Sequence, residues 1–153
     1  MTRLPQLLFG RGVFAPVHHI LEELPFEMVG ERPSGLPHSI FEELWHLEFW
    51  QRYLLAQARG ERPQRPTKDN NDWPGSPAPA NTDEWRELLE SILLGLDEAA
   101  GQAADAEVMD RRVGEAGSVR GVMESVVAHN SYHLARVVTL RQLLGLWPPH
   151  GLE

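Results

Sequence analysis

Cysteine is absent from this chain of 153 residues. Its absence excludes disulfide bonds, thiolate nucleophiles carried by the protein itself, and metal sites that depend on cysteine ligands. Any metal ion that the protein binds must therefore be held by histidine and carboxylate side chains. The chain has seven histidines, so their positions decide whether such a site is possible.

Positive charge is also scarce, because 14 lysine and arginine residues face 22 aspartate and glutamate residues, which gives a net charge of −8. Proteins that bind nucleic acid gain most of their affinity by neutralising phosphates, so this balance argues against nucleic-acid binding. Binding to anionic membrane surfaces is disfavoured for the same reason. No apolar run approaches the roughly 18 residues of a membrane span, and the N-terminal residues lack the apolar segment of a signal peptide. We therefore expect a soluble cytoplasmic protein.

Segments with the alternating pattern of a β-strand are lacking, and apolar residues recur instead at helical spacing. Four helices are predicted, at residues 13–24, at residues 39–58, from residue 82 onward, and at residues 118–144. The second begins with a capping box, in which the side chains of Ser39 and Glu42 accept hydrogen bonds from each other's backbone N–H groups. The chain length suits one domain. We expect residues 1–153 to form a single all-α domain, a four-helix bundle.

The connection between the second and third helices, residues 60–81, contains five prolines and a majority of polar residues. This composition forbids regular secondary structure. Loops longer than about 12–15 residues in compact domains are usually functional coverings or disordered. Trp73 suggests that the middle of the segment packs against the bundle. We interpret the segment as one long proline-rich crossover with a tryptophan anchor.

Two histidines interrupt the apolar stripe of the last predicted helix. The stripe consists of Val119, Val122, Val126, His129, His133, Val137, Leu140 and Leu144. His129 and His133 are four residues apart, so their side chains lie about 40° apart around the helix and one turn along it. Imidazoles on a buried face cost desolvation energy unless they are satisfied. They are therefore either a hydrogen-bonded pair in the core or ligands of a metal ion.

A third histidine favours the metal site. His46 lies midway along the other long helix, within the largely apolar segment 44–50. Helical bundles build metal sites from inward side chains on facing helices, and one histidine plus an i, i+4 pair fits that scheme. We therefore predict a divalent metal ion, Zn²⁺, Ni²⁺ or Fe²⁺, held by His46, His129 and His133. Three imidazoles would leave coordination positions open for water or substrate.

Three segments resemble the DinB-like (YfiT-like) superfamily. Residues 36–47, Leu-Pro-His-Ser-Ile-Phe-Glu-Glu-Leu-Trp-His-Leu, are similar to the signature of its second helix. Residues 129–137, His-Asn-Ser-Tyr-His-Leu-Ala-Arg-Val, are similar to the last-helix signature His-Asn-x-Tyr-His-Leu-Gly-Gln-Ile, and residues 141–149 also resemble members of the group. The resemblance implies a four-helix bundle, often dimeric, that holds a divalent metal with three histidines. The matching positions here are His46, His129 and His133.

The resemblance also implies a choice of activities. Characterised relatives, bacillithiol S-transferases and mycothiol-dependent isomerases, use low-molecular-weight thiols, and others are labelled metal-dependent hydrolases. Because the chain has no cysteine, a thiol would have to arrive as a cosubstrate. We favour a thiol S-transferase that acts on a small molecule, with a hydrolase of small esters or amides as the alternative. A third hypothesis is a non-catalytic bundle whose histidines bind metal for stability or bind none. A homodimer is expected from the resemblance and from apolar stripes that need cover.

Two further side chains are candidates for catalysis. Arg136 is seven residues after His129, so it should project one turn beyond the metal, where it could clamp a substrate carboxylate; a solvated arginine or a salt bridge between subunits are the alternatives. Arg136 and Ala135 stand where many relatives have glutamine and glycine. Glu43 could orient an imidazole or act as a base, whereas Glu42 is explained by the capping box. The remaining histidines, not expected to be ligands, are His18, His19, His38 and His150.

Overall fold

The computed structural model describes residues 3–67 and 72–150, and within these ranges it contains helices and loops without a strand. The helices are α1 (Leu4–Leu8), α2 (Val17–Leu21), α3 (Ile40–Ala58), α4 (Thr82–Ala104), α5 (Ala106–Asp110) and α6 (Val119–Leu143), with a 3-10 turn at Gly114–Ala116. The three long helices are α3, α4 and α6. The all-α fold class predicted from the sequence is confirmed.

The long helix α3 begins with the predicted capping box. Oγ of Ser39 accepts a hydrogen bond from the backbone N–H of Glu42 at 3.2 Å, and Oε2 of Glu42 accepts one from the backbone N–H of Ser39 at 2.8 Å. Both groups are buried, so the start of α3 is fixed by satisfied donors rather than by water. This start places His46 in the second turn of the helix.

The last helix, α6, is capped in a similar way. Oγ of Ser118 accepts a hydrogen bond from the backbone N–H of Gly121. The helix ends before Gly145, whose φ of +72° is a left-handed conformation that glycine adopts without a steric penalty. The predicted boundaries of this helix therefore agree with the structure to within one residue.

The first predicted helix, residues 13–24, is much shorter in the structure. It forms only α2, because Pro16 is the residue before the helix rather than a member of its first turn. Glu22 is extended with ψ of 159°, and Glu23 has φ of +51°, so the chain leaves the helix there. Leu24 precedes Pro25, and a residue before proline avoids the helical region. The short helix α1 was not predicted, since five residues are too few for a periodic pattern.

A buried arginine holds α2 onto α6. Arg141 has no solvent exposure, and its Nη1 donates to the backbone oxygens of His19, Ile20 and Glu22 at 2.8 to 3.0 Å. Its Nε donates to the backbone oxygen of Leu146 at 3.0 Å. These carbonyls at the end of α2 have no partner within that short helix, so the guanidinium satisfies them.

The core forms where the helices meet. The helix α3 packs along α6 and α4, while α1 packs on α4 and α6, and α2 packs on α6. The fully buried apolar side chains at the centre include Phe41, Leu44, Leu47, Ile92, Leu96, Met123, Val126, Val137 and Leu140. Within the described ranges, no helix combines the length and the apolar character needed to cross a membrane.

Candidate metal centre

The three histidines predicted as metal ligands converge in the structure. One ring nitrogen each from His46, His129 and His133 lies within 4.8 Å of the other two. The ring centroids are 4.5 Å apart for His129 and His133, 4.7 Å for His46 and His133, and 5.4 Å for His46 and His129. The cluster forms because α3 and α6 face each other and present these side chains from adjacent turns. Among the described residues, this is the group whose side chains could hold a metal ion together.

Two of the rings are oriented by hydrogen bonds to Nδ1. Nδ1 of His46 lies 2.6 Å from the backbone oxygen of Asp72, and Nδ1 of His133 lies 2.7 Å from Oε2 of Glu43. A carbonyl oxygen and a carboxylate only accept hydrogen bonds, so Nδ1 carries the proton and donates it in both rings. In the neutral imidazole this leaves a lone pair on Nε2, which is the form that binds a metal ion.

The third ring, His129, has a different environment. Its Nδ1 is buried and forms no hydrogen bond of ordinary geometry with the described residues, and the same is true of Oδ1 of the neighbouring Asn130. The interaction with the Asn130 side chain raises the pKa of His129, but it ranks behind burial and the repulsion from His133 and His46. A buried ring nitrogen without a partner is costly in a purely structural histidine. This cost argues against the hypothesis of a simple hydrogen-bonded pair in the core.

Burial keeps two of the three rings uncharged. Burial, together with repulsion from His133 and His46, lowers the pKa of His129 to about 4. Burial also lowers the pKa of His46, although the hydrogen bond to Asp72 acts in the opposite direction. Both rings are therefore neutral at pH 7, and a cation would not have to displace protons from them.

Glu43 connects the cluster to its surroundings. Its side chain has no solvent exposure, Oε2 accepts the hydrogen bond from His133, and Oε1 accepts one from Nε of Arg136 at 2.6 Å. Burial alone would raise the pKa of Glu43, but the hydrogen bonds from His133 and Arg136 outweigh it and hold the pKa below its usual value. Glu43 is thus an ionised carboxylate in the position that orienting His133 requires.

Arg136 was predicted to clamp a substrate carboxylate, with a solvated side chain or a salt bridge between subunits as alternatives. In the structure its Nε binds Glu43 of its own chain, and the guanidinium carbon lies 5.9 Å from the centre of the Tyr132 ring. About 30% of the side chain remains exposed. Arg136 therefore holds Glu43, a contact that was not predicted from the sequence, and its role towards a substrate stays a prediction.

Two residues of the proline-rich crossover contact the histidine cluster, and neither was predicted from the sequence as part of the site. Trp73 stacks between two imidazoles, with ring centroids 3.6 Å from His38 and 4.1 Å from His46. Asp72 accepts the hydrogen bond from His46 through its backbone oxygen, and its Oδ2 accepts one from Nε1 of Trp50 at 3.1 Å. Trp73 therefore packs against the bundle as predicted, and the residue that it contacts is His46 of the histidine cluster. A backbone carbonyl leaves no signal in the sequence, so Asp72 could not have been identified.

The other histidines do not join the cluster. His18 is exposed on α2, and Nδ1 of His19 lies 2.9 Å from the carboxylate of Glu22. His150 is exposed, and its backbone N–H donates to Glu23. His38 packs on Trp73 instead, so none of the four is placed as a fourth ligand.

The donor set fits a divalent cation. Nε2 of His46 and of His133 would bind it, because Nδ1 of both rings is engaged in a hydrogen bond. One ring nitrogen of His129 would complete the set, since the cluster brings one nitrogen of each ring within 4.8 Å of the others. Zn²⁺, Ni²⁺ and Fe²⁺ all accept imidazole ligands. Three nitrogens do not complete the coordination of any of these ions, so a small molecule could reach the same centre.

Comparison with protein families identifies a superfamily that covers most of the chain. The model of the DinB superfamily matches residues 13–137, a range that contains all three clustered histidines and most of the bundle. No curated protein and no solved structure matches the chain. The family match therefore agrees with the resemblance noted in the sequence, and this chain belongs to the DinB superfamily.

Proposed function

We propose that the protein is a metal-dependent enzyme that activates a low-molecular-weight thiol for transfer to an electrophilic small molecule. One observation carries the proposal: the imidazoles of His46, His129 and His133 converge from two facing helices, within 4.8 Å at their ring nitrogens. Membership of the DinB superfamily supports the metal site. The choice of a thiol over water comes from the resemblance to thiol-using relatives.

The side chains around the cluster are suited to holding a cation. Two neutral rings, His46 and His129, offer lone pairs at pH 7. Glu43 is ionised beside His133 and orients that ring through the hydrogen bond to Nδ1. A divalent cation bound there would lower the pKa of a thiol or a water molecule that reaches it.

The surrounding aromatic rings shape the approach to this centre. Trp73 covers His46 on one side, and the ring of Trp50 lies 6.2 Å from that of His129 and 6.4 Å from that of His46. These apolar walls exclude water from part of the site and leave a limited approach for a substrate. In the proposed reaction the thiol loses its proton to solvent, and its sulfur forms a bond to the electrophilic carbon. The leaving group departs with the electron pair of the bond that breaks.

The first test is metal analysis of the purified protein. Wild-type protein is expected to hold about one divalent ion per chain, and His133→Ala is expected to lose it. His18→Ala, which changes an exposed histidine outside the cluster, is the matched control and should retain the ion. Equal metal content in the wild type and in His133→Ala would remove His133 from the site and contradict the proposal.

The second test separates the possible activities. The metal-loaded protein is assayed with a chromogenic electrophile in the presence of several small thiols and in the absence of any thiol. Turnover that requires a thiol supports S-transfer, whereas hydrolysis of small esters or amides without a thiol would favour the alternative of a metal-dependent hydrolase. Loss of all activity in His133→Ala connects either reaction to the cluster. Absence of turnover with every thiol and ester would favour a non-catalytic metal-binding bundle.

A further inference from the structure

A large cavity lies next to the histidine cluster. Its volume is about 960 Å³, and it lies between the second half of α3 and the first half of α6. The helical side of the lining consists of Trp50, Tyr53, Leu54 and Gln57 from α3 and Gly121, Val122 and Ser125 from α6. Trp50 is four residues after His46, and Ser125 is four residues before His129. The cavity therefore begins about one helical turn, roughly 6 Å, from the cluster.

Three arginines line the part of the cavity that is formed by loops. Arg62 and Arg65 come from the segment after α3, and Arg112 comes from the segment before α6. All three are exposed. Within the described part of the chain, none of their guanidinium groups forms an ion pair or a hydrogen bond with a protein group. Towards the residues that the structure describes, they therefore neither cap a helix nor neutralise a carboxylate.

The charge of this cavity contrasts with that of the whole chain. Two carboxylates share the lining, but Glu61 is bound at 2.6 Å to Arg59, which leaves Glu115. Among the described lining residues, three cationic groups thus share the cavity with one carboxylate that forms no ion pair with a described residue, in a protein whose net charge is −8. A concave surface with an excess of guanidinium groups attracts anions and raises their local concentration.

We propose that this cavity binds the anionic part of the thiol cosubstrate, a carboxylate or phosphate group, through Arg62, Arg65 and Arg112. The planar guanidinium fork matches both kinds of group with paired hydrogen bonds. Tyr53 and Gln57, which hydrogen-bond to each other at 3.2 Å, supply further polar groups along the wall. The thiol end of such a molecule would extend past Trp50 to the histidines. This inference rests on the proposed function for the link to the metal centre.

Anion binding is tested directly, without metal or turnover. Succinate and inorganic phosphate are titrated into the metal-free protein at low ionic strength by calorimetry, with three proteins compared. The first is the wild type. The second, the cavity variant, combines Arg62→Gln, Arg65→Gln and Arg112→Gln. The third, the control variant, has the same change in charge and combines Arg11→Gln, Arg52→Gln and Arg86→Gln. All six arginines are exposed, so both variants should fold normally.

The cavity variant is expected to bind its anion about tenfold more weakly than the wild type, which corresponds to about 1.4 kcal/mol. The control variant should remain within about twofold of the wild type. Tighter binding of succinate would identify the anionic group as a carboxylate, and tighter binding of inorganic phosphate would identify it as a phosphate. Equal weakening in both variants, or no binding of either probe by the wild type, would overturn the inference.

Kinetics of the metal-loaded protein connect the cavity to the reaction. Mercaptosuccinate, which carries two carboxylates, is compared with neutral 2-mercaptoethanol as the thiol. The cavity variant should raise KM for mercaptosuccinate about tenfold, with kcat and the values for 2-mercaptoethanol little changed. Turnover that does not distinguish the two thiols overturns this inference and leaves the proposed function intact. Anion binding without any turnover supports the cavity and contradicts the proposed function instead.

Discussion

Glu43 on α3 and His133 on α6 are joined by a hydrogen bond of 2.7 Å between Oε2 and Nδ1, and both side chains are buried. Residues 90 positions apart in sequence thus form a pair that fixes the proton on one ring nitrogen and directs the other towards His46 and His129. The second carboxylate oxygen of Glu43 is held by Arg136. The orientation of a candidate metal ligand therefore depends on an ionised group outside the three-histidine cluster.

Glu43→Gln tests this dependence. An amide in place of the carboxylate weakens the hydrogen bond to His133, so the affinity for a divalent cation should fall about 10- to 100-fold. The matched control is Glu48→Gln, also on α3, where the carboxylate binds Ser91 and Arg52 away from the cluster. Metal affinity is measured by competition with a chromogenic chelator. Unchanged affinity in Glu43→Gln would show that Glu43 contributes only to packing with Arg136.

Trp73 fixes the crossover on the cluster, and its substitution should affect the metal centre. Trp73→Ala removes the stacking on His38 and His46 and loosens the neighbouring Asp72, whose backbone oxygen orients His46. Metal affinity should fall about three- to tenfold. Trp73→Phe keeps an aromatic ring in the stack and should restore most of the affinity. If Trp73→Ala binds metal as tightly as the wild type, the crossover does not support the site.

The lowered pKa of Glu42 predicts that the protein becomes less stable at low pH. Burial would raise the pKa of Glu42, but the hydrogen bonds from Arg32 and from the backbone of Ser39 outweigh it, so the pKa in the folded protein lies below its ordinary value. A carboxyl group whose pKa is lowered by folding stabilises the protein above its unfolded pKa, and this contribution is lost as the pH falls through the folded pKa. The free energy of unfolding should therefore decrease as the pH is lowered from about 5.

The variant Glu42→Gln isolates that contribution. It should be less stable than the wild type by about 1–2 kcal/mol at pH 7, because glutamine can keep the capping box but cannot form the ion pair with Arg32. The difference between the two proteins should shrink as the pH falls through the lowered pKa that Glu42 has in the folded protein, because the carboxylate becomes protonated there. Urea unfolding of both proteins at several pH values measures it. A difference that stays constant with pH would show that Glu42 stabilises α3 without its charge.

Arg141 should be important for stability and not for metal binding. Arg141→Gln removes most of the donors that satisfy the carbonyls of His19, Ile20 and Glu22, so the free energy of unfolding should fall by about 2–4 kcal/mol. Arg86→Gln is the control, because Arg86 is exposed, and should change stability by less than about 0.5 kcal/mol. Chemical denaturation measures both variants. A loss in Arg141→Gln no larger than in the control would remove Arg141 as the attachment of α2.

The parts of the fold that local sequence determines were predicted correctly. Ser39 and Glu42 form the capping box, and the sequence pattern gives the approximate limits of α3 and α6 and the start of α4. The histidines were identified because imidazoles at i, i+4 stand out on a stripe of valine and leucine. These features depend on neighbours within one helix, which a periodic pattern records.

Features that depend on contacts between distant segments could not be predicted. The attachment of the end of α2 to Arg141 is such a contact, and it was not predicted. The pairing of Arg136 with Glu43 requires the register between two helices. The contribution of Asp72 comes from a backbone oxygen, so its residue type carries no information about it.

X-ray absorption spectroscopy of the metal-loaded protein, recorded with and without added mercaptosuccinate, tests the site and its chemistry together. Three imidazole ligands at about 2.0–2.1 Å are expected for zinc in the free protein, and a sulfur ligand at about 2.3 Å should appear when the thiol is added. His129→Ala should lose imidazole ligands from the spectrum. A metal that binds with no histidine ligands, or a spectrum that the thiol leaves unchanged, would contradict thiol activation at the three-histidine centre.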